Sequence, residues 1–258
     1  MPGTPAALVR GIPDTFERAL SSAPSAQLDV EQARAQHQTY LSHLQMSGCQ
    51  VVAVAPDARH PDCVFVEDTA VVVGDQVVVT RPGAPSRRGE VGPVAETLRK
   101  WFSAKVIEEP GTVDGGDVIV TSDRVLIGRS SRTNAEGVAQ LSRIVSSTGL
   151  RPVEVRVDDG LHLKSAVLPL DEESAVVTPG AVEESALAGY RLIREDDEER
   201  FRFSALPLPN GTVLVTASAP RTVATIDDLG YAVVPIDISQ IQTADGGLTC
   251  MSILFKIP

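Results

Sequence analysis

The chain has few cysteines, few aromatic residues and little positive charge, and each scarcity excludes a class of protein. Its 258 residues include three cysteines, an odd and sparse set that does not make a disulfide framework. Aromatic residues make up only 4% of the sequence, so we expect a core of Val, Leu, Ile and Ala. The net charge of −11 argues against nucleic acid or an anionic membrane as a partner, because both attract a basic surface.

Long apolar runs are also missing. No stretch approaches about 18 consecutive apolar residues, and the first eleven residues lack a cationic segment followed by an apolar one. Neither export nor membrane insertion is signalled, so we expect a cytoplasmic protein. Apolar residues still make up 43% of the chain, which suffices for a core, and we expect one domain over residues 1–258. The sequence leaves open whether that domain is a monomer or a homodimer.

What the chain does contain is a repeat. An apolar run, a polar turn and a second apolar run begin at Thr69, Asp117, Ser165 and Ser204, and each copy predicts a β-hairpin. A segment of helical character follows each hairpin, at 91–102, 134–147, 182–189 and 222–230. One more β-branched run then comes at 105–107, 153–155, 190–193 and 231–235. The repeating unit is therefore ββαβ.

A fifth unit is predicted from the two ends of the chain. Residues 251–255 and 7–10 supply its first two strands, a helix capped by Asp29 follows, and 51–55 supply the third strand. Joining the ends removes exposed sheet edges. The alternative is an ordinary α/β sheet, in which strands and helices also alternate. Two strands precede each helix here, so the pattern favours a ring of five units.

Reactive residues stand just before these strands. Glu67 and Asp68 precede the first hairpin, Asp114 the second, His162 the third and Cys250 the last strand. Equivalent ends of ring units meet, so we expect a thiol, an imidazole and carboxylates in one site, where the imidazole moves protons and a carboxylate orients it. The alternative for Cys250 is a small buried strand residue. The D-G-G-L-T before it and the equivalent position of His162 favour catalysis.

Two other kinds of site find little support. His60, Asp62 and Cys63 offer ligands for zinc, but no second pair of ligands with suitable spacing completes a tetrahedral site. Gly115 and Gly116 match no phosphate-binding pattern and are interpreted as a place where the backbone closely approaches a ligand. We therefore expect no metal and no cofactor.

An excess of carboxylates constrains the substrate. A cluster of them is costly unless a cation neutralises it, and a guanidinium suits because its planar N–H donors match carboxylate oxygens. The carboxylates in question are Asp62, Glu67, Asp68 and Asp114. Arg87 and Arg132 follow the first two hairpins, where they are either substrate-carboxylate ligands or ordinary surface arginines.

Six motifs together carry a family resemblance. They are D-C-V-F-V-E-D from Asp62, V-T-R-P-G-A-P-S-R-R from Val79, T-V-D-G-G-D-V from Thr112, S-S-R-T-N from Ser130, D-G-L-H-L-K-S from Asp159 and D-G-G-L-T-C from Asp245. In this combination the chain resembles the dimethylarginine dimethylaminohydrolases from Val9 to about Lys256. The resemblance implies an α/β fold, the five-bladed α/β-propeller of ββαβ units called the pentein fold.

The resemblance also implies an activity and its residues. The family hydrolyses asymmetric dimethylarginine and monomethylarginine to citrulline and a methylated amine through a covalent S-alkylthiouronium. It implies Cys250 as nucleophile, His162 as acid and base, and Asp114, a Glu in some members, as acidic partner. The binding residues implied are Asp68 and Glu67 for the guanidinium, Asp62 for the α-amino group, Arg87 and Arg132 for the α-carboxylate, Phe65 near the substrate, Leu20 in a lid over 12–22, and Asp245 in the Cys250 turn.

Two alternatives remain at this point. An arginine deiminase or amidinotransferase uses the same residue types, although such deiminases generally carry an added helical region for which 258 residues leave no room. A protein that captures methylated arginine without converting it is the second alternative, and the presence of both Cys250 and His162 argues against it.

Overall fold

Five sheets of three strands each arrange the repeated units. The computed structural model describes residues 3–23 and 27–258. In chain order the strands are β1 (Thr4–Arg10), β2 (Gln50–Val54), β3 (Ala70–Val73), β4 (Gln76–Val79), β5 (Ser103–Val106), β6 (Val118–Val120), β7 (Arg124–Arg129), β8 (Arg151–Arg156), β9 (Val167–Pro169), β10 (Ser174–Val177), β11 (Arg191–Arg194), β12 (Ala205–Pro207), β13 (Thr212–Thr216), β14 (Ala232–Ile236) and β15 (Ser252–Ile257).

Six α-helices accompany these strands in the described part of the chain. They are α1 (Val30–Met46), α2 (Val91–Leu98), α3 (Ala135–Ser147), α4 (Leu163–Ala166), α5 (Pro220–Asp228) and α6 (Ser239–Thr243). Side-chain caps fix the starts of the two longest, because Asp29 accepts the Gln32 amide and Asn134 accepts the Gly137 amide. None of the described helices is both long and apolar enough to cross a lipid bilayer.

Every sheet has the same topology. The central strand pairs antiparallel with one neighbour and parallel with the other, in the orders β15-β1-β2, β3-β4-β5, β6-β7-β8, β11-β10-β9 and β12-β13-β14. A parallel third strand requires a crossover connection, which the helical segment supplies. The predicted ββαβ unit and the pairing of the chain's first and last strands are therefore both confirmed.

The third unit differs from its prediction in one respect. Its segment 182–189 contains a single 3-10 turn at Glu184–Leu187 instead of an α-helix. Gly180 and Gly189 adopt φ values of +71° and +102°, and Val182 forms an isolated antiparallel bridge with Val157. These features leave too few consecutive residues for more than one helical turn.

Tertiary contacts divide the chain into two compact units, one made of Met1–Val66 and Arg202–Pro258 and the other of Glu67–Phe201. The first contains β1, β2 and β12–β15 around a core that includes Tyr40, Leu44 and Met251. The second contains β3–β11 around two clusters of Val, Leu, Ile and Ala. One domain over the whole chain stays a prediction.

A helical turn precedes the outer strand in four of the sheets. The turns are Val66–Thr69 before β3, Gly115–Asp117 before β6, α4 before β9 and Thr249–Met251 before β15. These turns contain or directly follow the reactive residues that the sequence singled out. The repeat therefore places each reactive segment at the same point of its own unit.

Candidate active site

His162 and Asp114 form a buried pair within Glu67–Phe201. Nε2 of His162 lies 3.0 Å from Oδ2 of Asp114, and the two residues are 5% and 0% exposed. His162 directly precedes α4, while Asp114 directly precedes the 3-10 turn Gly115–Asp117. Oδ1 of Asp114 accepts the Gly83 amide at 2.8 Å, which fixes the carboxylate plane. The sequence prediction that these two residues meet is confirmed.

Asp68 is the second carboxylate beside the imidazole. Its Oδ1 lies 3.9 Å from Nε2 of His162 and accepts the Gly116 amide at 2.9 Å, while its Oδ2 accepts from Arg87. Arg87 in turn donates to Glu90, with Nη2 2.9 Å from Oε2. Arg87 is buried between these two carboxylates. Arg87 thus neutralises part of the negative charge for which the sequence predicts a cationic ligand.

The carboxylates around His162 raise the pKa of its imidazole. Burial opposes the charged imidazolium, but Asp68, Asp114 and Asp117 outweigh it and raise the pKa of His162 to about 9. For Asp68, burial acts against ionisation, whereas His162 and Arg87 lower its pKa to about 2. At neutral pH the imidazole therefore carries a proton that it donates to Asp114, and Asp68 is an anion.

Gly115 and Gly116 give room to protein groups. A Cβ on Gly115 would lie 1.9 Å from the carbonyl oxygen of Glu67, and one on Gly116 would lie 2.7 Å from Nδ1 of His162. The close approach expected for a ligand is therefore made by Glu67 and His162. Any side chain at Gly116 would displace the imidazole.

Glu67 and Arg132 have protein partners as well. Nζ of Lys164 donates to Glu67 at 2.6 Å and to the Gly115 carbonyl at 3.3 Å. Nη1 of Arg132 lies 3.9 Å from Oδ2 of Asp114, and its side chain keeps 20% of its exposure. Of the two arginines predicted to hold a substrate carboxylate, Arg132 is therefore the more accessible.

Cys250 lies in the unit that contains the chain termini. It belongs to the 3-10 turn Thr249–Met251, is partly buried against the core, and its Sγ accepts the Gly247 amide at 3.3 Å. Ser204 fixes Leu248, the residue before this turn, by accepting its amide at 2.9 Å. A backbone donor to Sγ favours the thiolate form, which is the nucleophilic one.

The loop predicted as a lid is anchored at Leu20 and Ser22. Asp62 accepts the Leu20 amide at 2.9 Å, and Asp245 accepts both the amide and the hydroxyl of Ser22, at 2.6 and 2.7 Å. Asp245 has a φ of +55° and follows the end of α6. Its carboxylate thus fixes the 12–22 loop in addition to its place in the Cys250 turn.

Phe65 is almost fully buried. Its ring meets that of Phe16 edge to face, with centroids 5.9 Å apart, and leaves no space for a Cβ on Gly246, which would lie 2.3 Å from the ring. Gly246 therefore lets the segment before Cys250 pack against Phe65. Its predicted contact with substrate stays a prediction.

One group of described residues has the geometry to hold a metal ion. Asp68, Asp114 and His162 each present a ligand atom, and these atoms lie within 4.8 Å of one another. Each of the three already has a protein partner that balances its charge or occupies its ligand atom. Two of the possible zinc ligands noted in the sequence also have protein partners. The Asp62 carboxylate accepts the Leu20 amide, and Sγ of Cys63 accepts the Asp57 amide at 3.4 Å.

Known proteins identify the family. The family described as N,N dimethylarginine dimethylhydrolase, eukaryotic, matches residues 12–200. The chain is 36% identical over 238 residues to the N(G),N(G)-dimethylarginine dimethylaminohydrolase of Pseudomonas aeruginosa, covering 92% of this chain and 93% of that protein. It belongs to the dimethylarginine dimethylaminohydrolase family. The enzyme of the same name from Streptomyces coelicolor is 35% identical over 266 residues, 99% of this chain and 98% of that one.

The chain also has the fold of a solved dimethylarginine dimethylaminohydrolase. A solved structure of the Pseudomonas aeruginosa enzyme, a cysteine-to-serine variant complexed with citrulline, superposes with a TM-score of 0.93 at 33% identity. It covers 98% of this chain and all of that one. The predicted class, a five-bladed α/β-propeller of ββαβ units, is confirmed.

Three charged residues that contact the predicted site residues, or lie beside them, were not assigned a role from the sequence. Glu90 binds Arg87, Lys164 binds Glu67, and Asp117 accepts three hydrogen bonds beside His162. Asp117 and Lys164 stand inside the motifs that carry the family resemblance, so their position next to Asp114 and His162 was an available signal. Glu90 lies outside those motifs and is found only from its contact with Arg87.

Proposed function

We propose that this protein hydrolyses asymmetric dimethylarginine and monomethylarginine to citrulline and the corresponding methylated amine. The observation that carries the proposal is the buried His162–Asp114 pair beside Asp68, with a pKa of about 9 for His162. A protonated imidazole suits the departure of a basic amine, and a second carboxylate suits a guanidinium. Family membership and the citrulline complex of a relative support the same reaction.

The first step is displacement of the amine by Cys250. The Cys250 thiolate attacks the guanidinium carbon, a C–S bond forms, and the bond from that carbon to the dimethylamino nitrogen breaks. His162 donates its other ring proton, the one on Nδ1, to the departing nitrogen, so dimethylamine leaves as a neutral molecule. The product on the enzyme is an S-alkylthiouronium. Asp114 holds the imidazole in place throughout by accepting its Nε2 proton.

The second step returns the enzyme to its starting state. His162, now neutral, takes a proton from water as the oxygen attacks the thiouronium carbon. The C–S bond then breaks, which releases citrulline and the Cys250 thiolate. One water is consumed: one of its protons restores the imidazolium, its oxygen becomes the carbonyl oxygen of citrulline, and its second proton passes to solvent, where the released amine takes it up.

Substrate binding uses carboxylates for the guanidinium and for the α-amino group, and arginines for the α-carboxylate. We infer that Asp68 and Glu67 face the guanidinium and that Asp62 binds the α-amino group. Arg132, the more accessible arginine, binds the α-carboxylate together with Arg87. Phe65 packs near the ligand, Leu20 covers it, and Asp245 fixes the loop that contains Leu20. No cofactor enters any step.

A substrate panel tests the proposal. The purified, reduced protein is incubated separately with asymmetric dimethylarginine, monomethylarginine, arginine and agmatine, and citrulline, dimethylamine and ammonia are measured. Citrulline and dimethylamine in equal amounts are expected from the first compound. Ammonia from arginine as the preferred reaction would indicate a deiminase, and recovery of every ligand unchanged would indicate a binding protein.

Replacing Cys250 by serine tests the covalent route. We expect Cys250→Ser to lower kcat by at least about 10³-fold, because the hydroxyl is a far weaker nucleophile, while calorimetry still detects dimethylarginine binding. Cys49→Ser is the matched control, since Cys49 is buried beside Ser47 in the same unit and has no proposed role. Turnover by Cys250→Ser at the wild-type rate would exclude the mechanism.

A further inference from the structure

Asp117 is a fully buried carboxylate that the proposed chemistry does not use. Oδ1 accepts the Leu163 amide at 2.8 Å, and Oδ2 accepts the hydroxyls of Ser130 and Thr133, both at 2.6 Å. All three partners donate to Asp117. An ionised carboxylate accepts on both oxygens, so this arrangement suits the anion.

The three donors connect Asp117 to the predicted catalytic pair. Leu163 directly follows His162 in the chain, so its amide fixes the backbone from which the imidazole extends. Oγ1 of Thr133 accepts the Asp114 amide at 3.1 Å while its hydrogen points to Asp117. One carboxylate therefore holds the main chain beside both members of the pair.

The loop that contains Arg132 is also held by Asp117. Oγ of Ser130, which donates to Asp117, accepts the amides of Arg132 and Thr133 at 3.0 and 3.2 Å. The loop conformation that directs Arg132 toward Asp114 thus also depends on Asp117.

Gly128 on β7 makes the space for this carboxylate. A Cβ on Gly128 would lie 2.8 Å from Oδ1 of Asp117 and 2.8 Å from Cβ of Leu163. A methyl group at this position would displace both groups at once. The fold therefore provides a fitted place for Asp117 and its Leu163 bond.

Asp117 and His162 affect each other electrostatically. Burial raises the pKa of Asp117, against the effect of His162 and the three hydrogen bonds. Asp117, together with Asp68 and Asp114, raises the pKa of His162 in return. An uncompensated carboxylate at this depth would be costly, and the imidazolium and the three donors offset part of that cost.

We propose that Asp117 is a positioning residue for the hydrolysis. Through the Leu163 amide and the Thr133 hydroxyl it holds His162 and Asp114 at the separation at which they share a proton. It contacts neither the substrate nor the reacting atoms. This inference rests on the proposed function, but the titration of His162 can be measured without any substrate.

Another buried carboxylate gives a matched control. Glu195 is 4% exposed in the same unit and accepts the Thr178 hydroxyl at 2.6 Å and the Phe201 amide at 3.1 Å. These two donors are of the same kinds as those of Asp117, but neither Thr178 nor Phe201 adjoins His162 or Asp114. Glu195→Gln therefore reports what losing such a carboxylate does to stability alone.

Four variants test the proposal. Asp117→Asn keeps the shape of the side chain but loses its charge, Thr133→Val removes the connecting hydroxyl without a change in charge, and Thr133→Ser retains it. We expect the first two to lower kcat on the order of 10²-fold, because small displacements of catalytic groups have effects of that size, and to alter KM by no more than a few-fold. Thr133→Ser and Glu195→Gln should keep wild-type kcat.

The titration of His162 separates a positioning role of Asp117 from an effect on the stability of the fold. We expect the pKa of His162, measured by NMR, to fall by about 1 unit or more in Asp117→Asn and to change in Thr133→Val but not in Thr133→Ser. Wild-type kcat and titration in Asp117→Asn and Thr133→Val would overturn the proposal. So would an equal loss of kcat in Glu195→Gln.

Two further outcomes remain decisive. If Asp117→Asn does not fold, the two Thr133 variants decide between positioning and a purely structural role. If the wild-type protein does not hydrolyse methylated arginines, the proposed function fails, and the titration of His162 in the Thr133 variants still tests positioning. An unchanged titration in Thr133→Val would then overturn it.

Discussion

Replacing Asp114 by asparagine tests the charge on His162 directly. Oδ2 of Asp114 is 3.0 Å from Nε2 of the imidazole, and Oδ1 accepts the Gly83 amide. The asparagine oxygen keeps the bond to Gly83, which directs the new NH₂ group at Nε2. Only a neutral imidazole accepts a hydrogen bond from that group. The substitution therefore removes a negative charge and favours the neutral form of His162.

The expected size follows from the contact. A neighbouring charge at such a distance changes a pKa by about 1–3 units, each worth about 1.4 kcal/mol. Starting from a pKa of about 9, we expect His162 in Asp114→Asn to titrate between about 6 and 8. At neutral pH the variant then loses much of the imidazolium that protonates the leaving amine. We expect kcat to fall and its high-pH limb to move to lower pH.

The same change alters stability. The folded-state pKa of His162 is raised from 6.5 to about 9, so its proton stabilises the folded state fully below pH 6.5 and loses this effect as pH rises through 9. That difference corresponds to about 3 kcal/mol. The unfolding free energy of wild-type protein should therefore fall across this range by an amount of that order. In Asp114→Asn the fall should be clearly smaller.

NMR titration of the imidazole Cε1–Hε1 signals is the deciding assay. The chain has four histidines, and loss of one signal in His162→Gln assigns the relevant peak. Asp75→Asn, in the exposed β3–β4 turn, is the control for removal of one negative charge and should leave His162 unchanged. If His162 in Asp114→Asn still titrates near 9, the account of its pKa is wrong.

Two other predictions concern close packing and the loop. In Gly116→Ala the new Cβ would lie 2.7 Å from Nδ1 of His162, so kcat should fall on the order of 10²-fold, whereas Gly92→Ala, with no atom within 4 Å of its Cβ, should have no effect. Steady-state kinetics that rank the two variants equally would contradict this. In Asp245→Ala both bonds to Ser22 are lost, so KM should rise and the Ser22 amide should exchange its hydrogen faster. Slow exchange in that variant, by mass spectrometry, would argue that Asp245 does not hold the loop.

The secondary structure was predictable because its signals are local. The Asp29 and Asn134 caps, the hairpin turns and the alternation of apolar runs each depend on residues a few positions apart. The helix expected at 182–189 was wrong because an isolated bridge and two glycines with positive φ shorten that segment. A contact between Val157 and Val182 is not visible in a local pattern.

The meeting of His162 and Asp114 was predictable for a different reason. The first three hairpins begin 48 residues apart, and His162 lies 48 residues from Asp114, as Gly116 does from Asp68. Equivalent positions of successive units are therefore in contact. A repeat spacing is one of the few sequence signals that reports on tertiary contacts.

By itself the sequence determined the ββαβ unit, its repetition and the residue types that precede each strand. Only the tertiary structure decided the charge partners: Arg87 with Asp68 and Glu90, Lys164 with Glu67, and Asp117 with Thr133 and the Leu163 amide. Local propensity acts over a turn or two of chain, so it can be read from residues that are close together in the sequence. The ionisation of a buried group depends instead on every charge and donor within a few ångströms, and those groups come from distant parts of the chain.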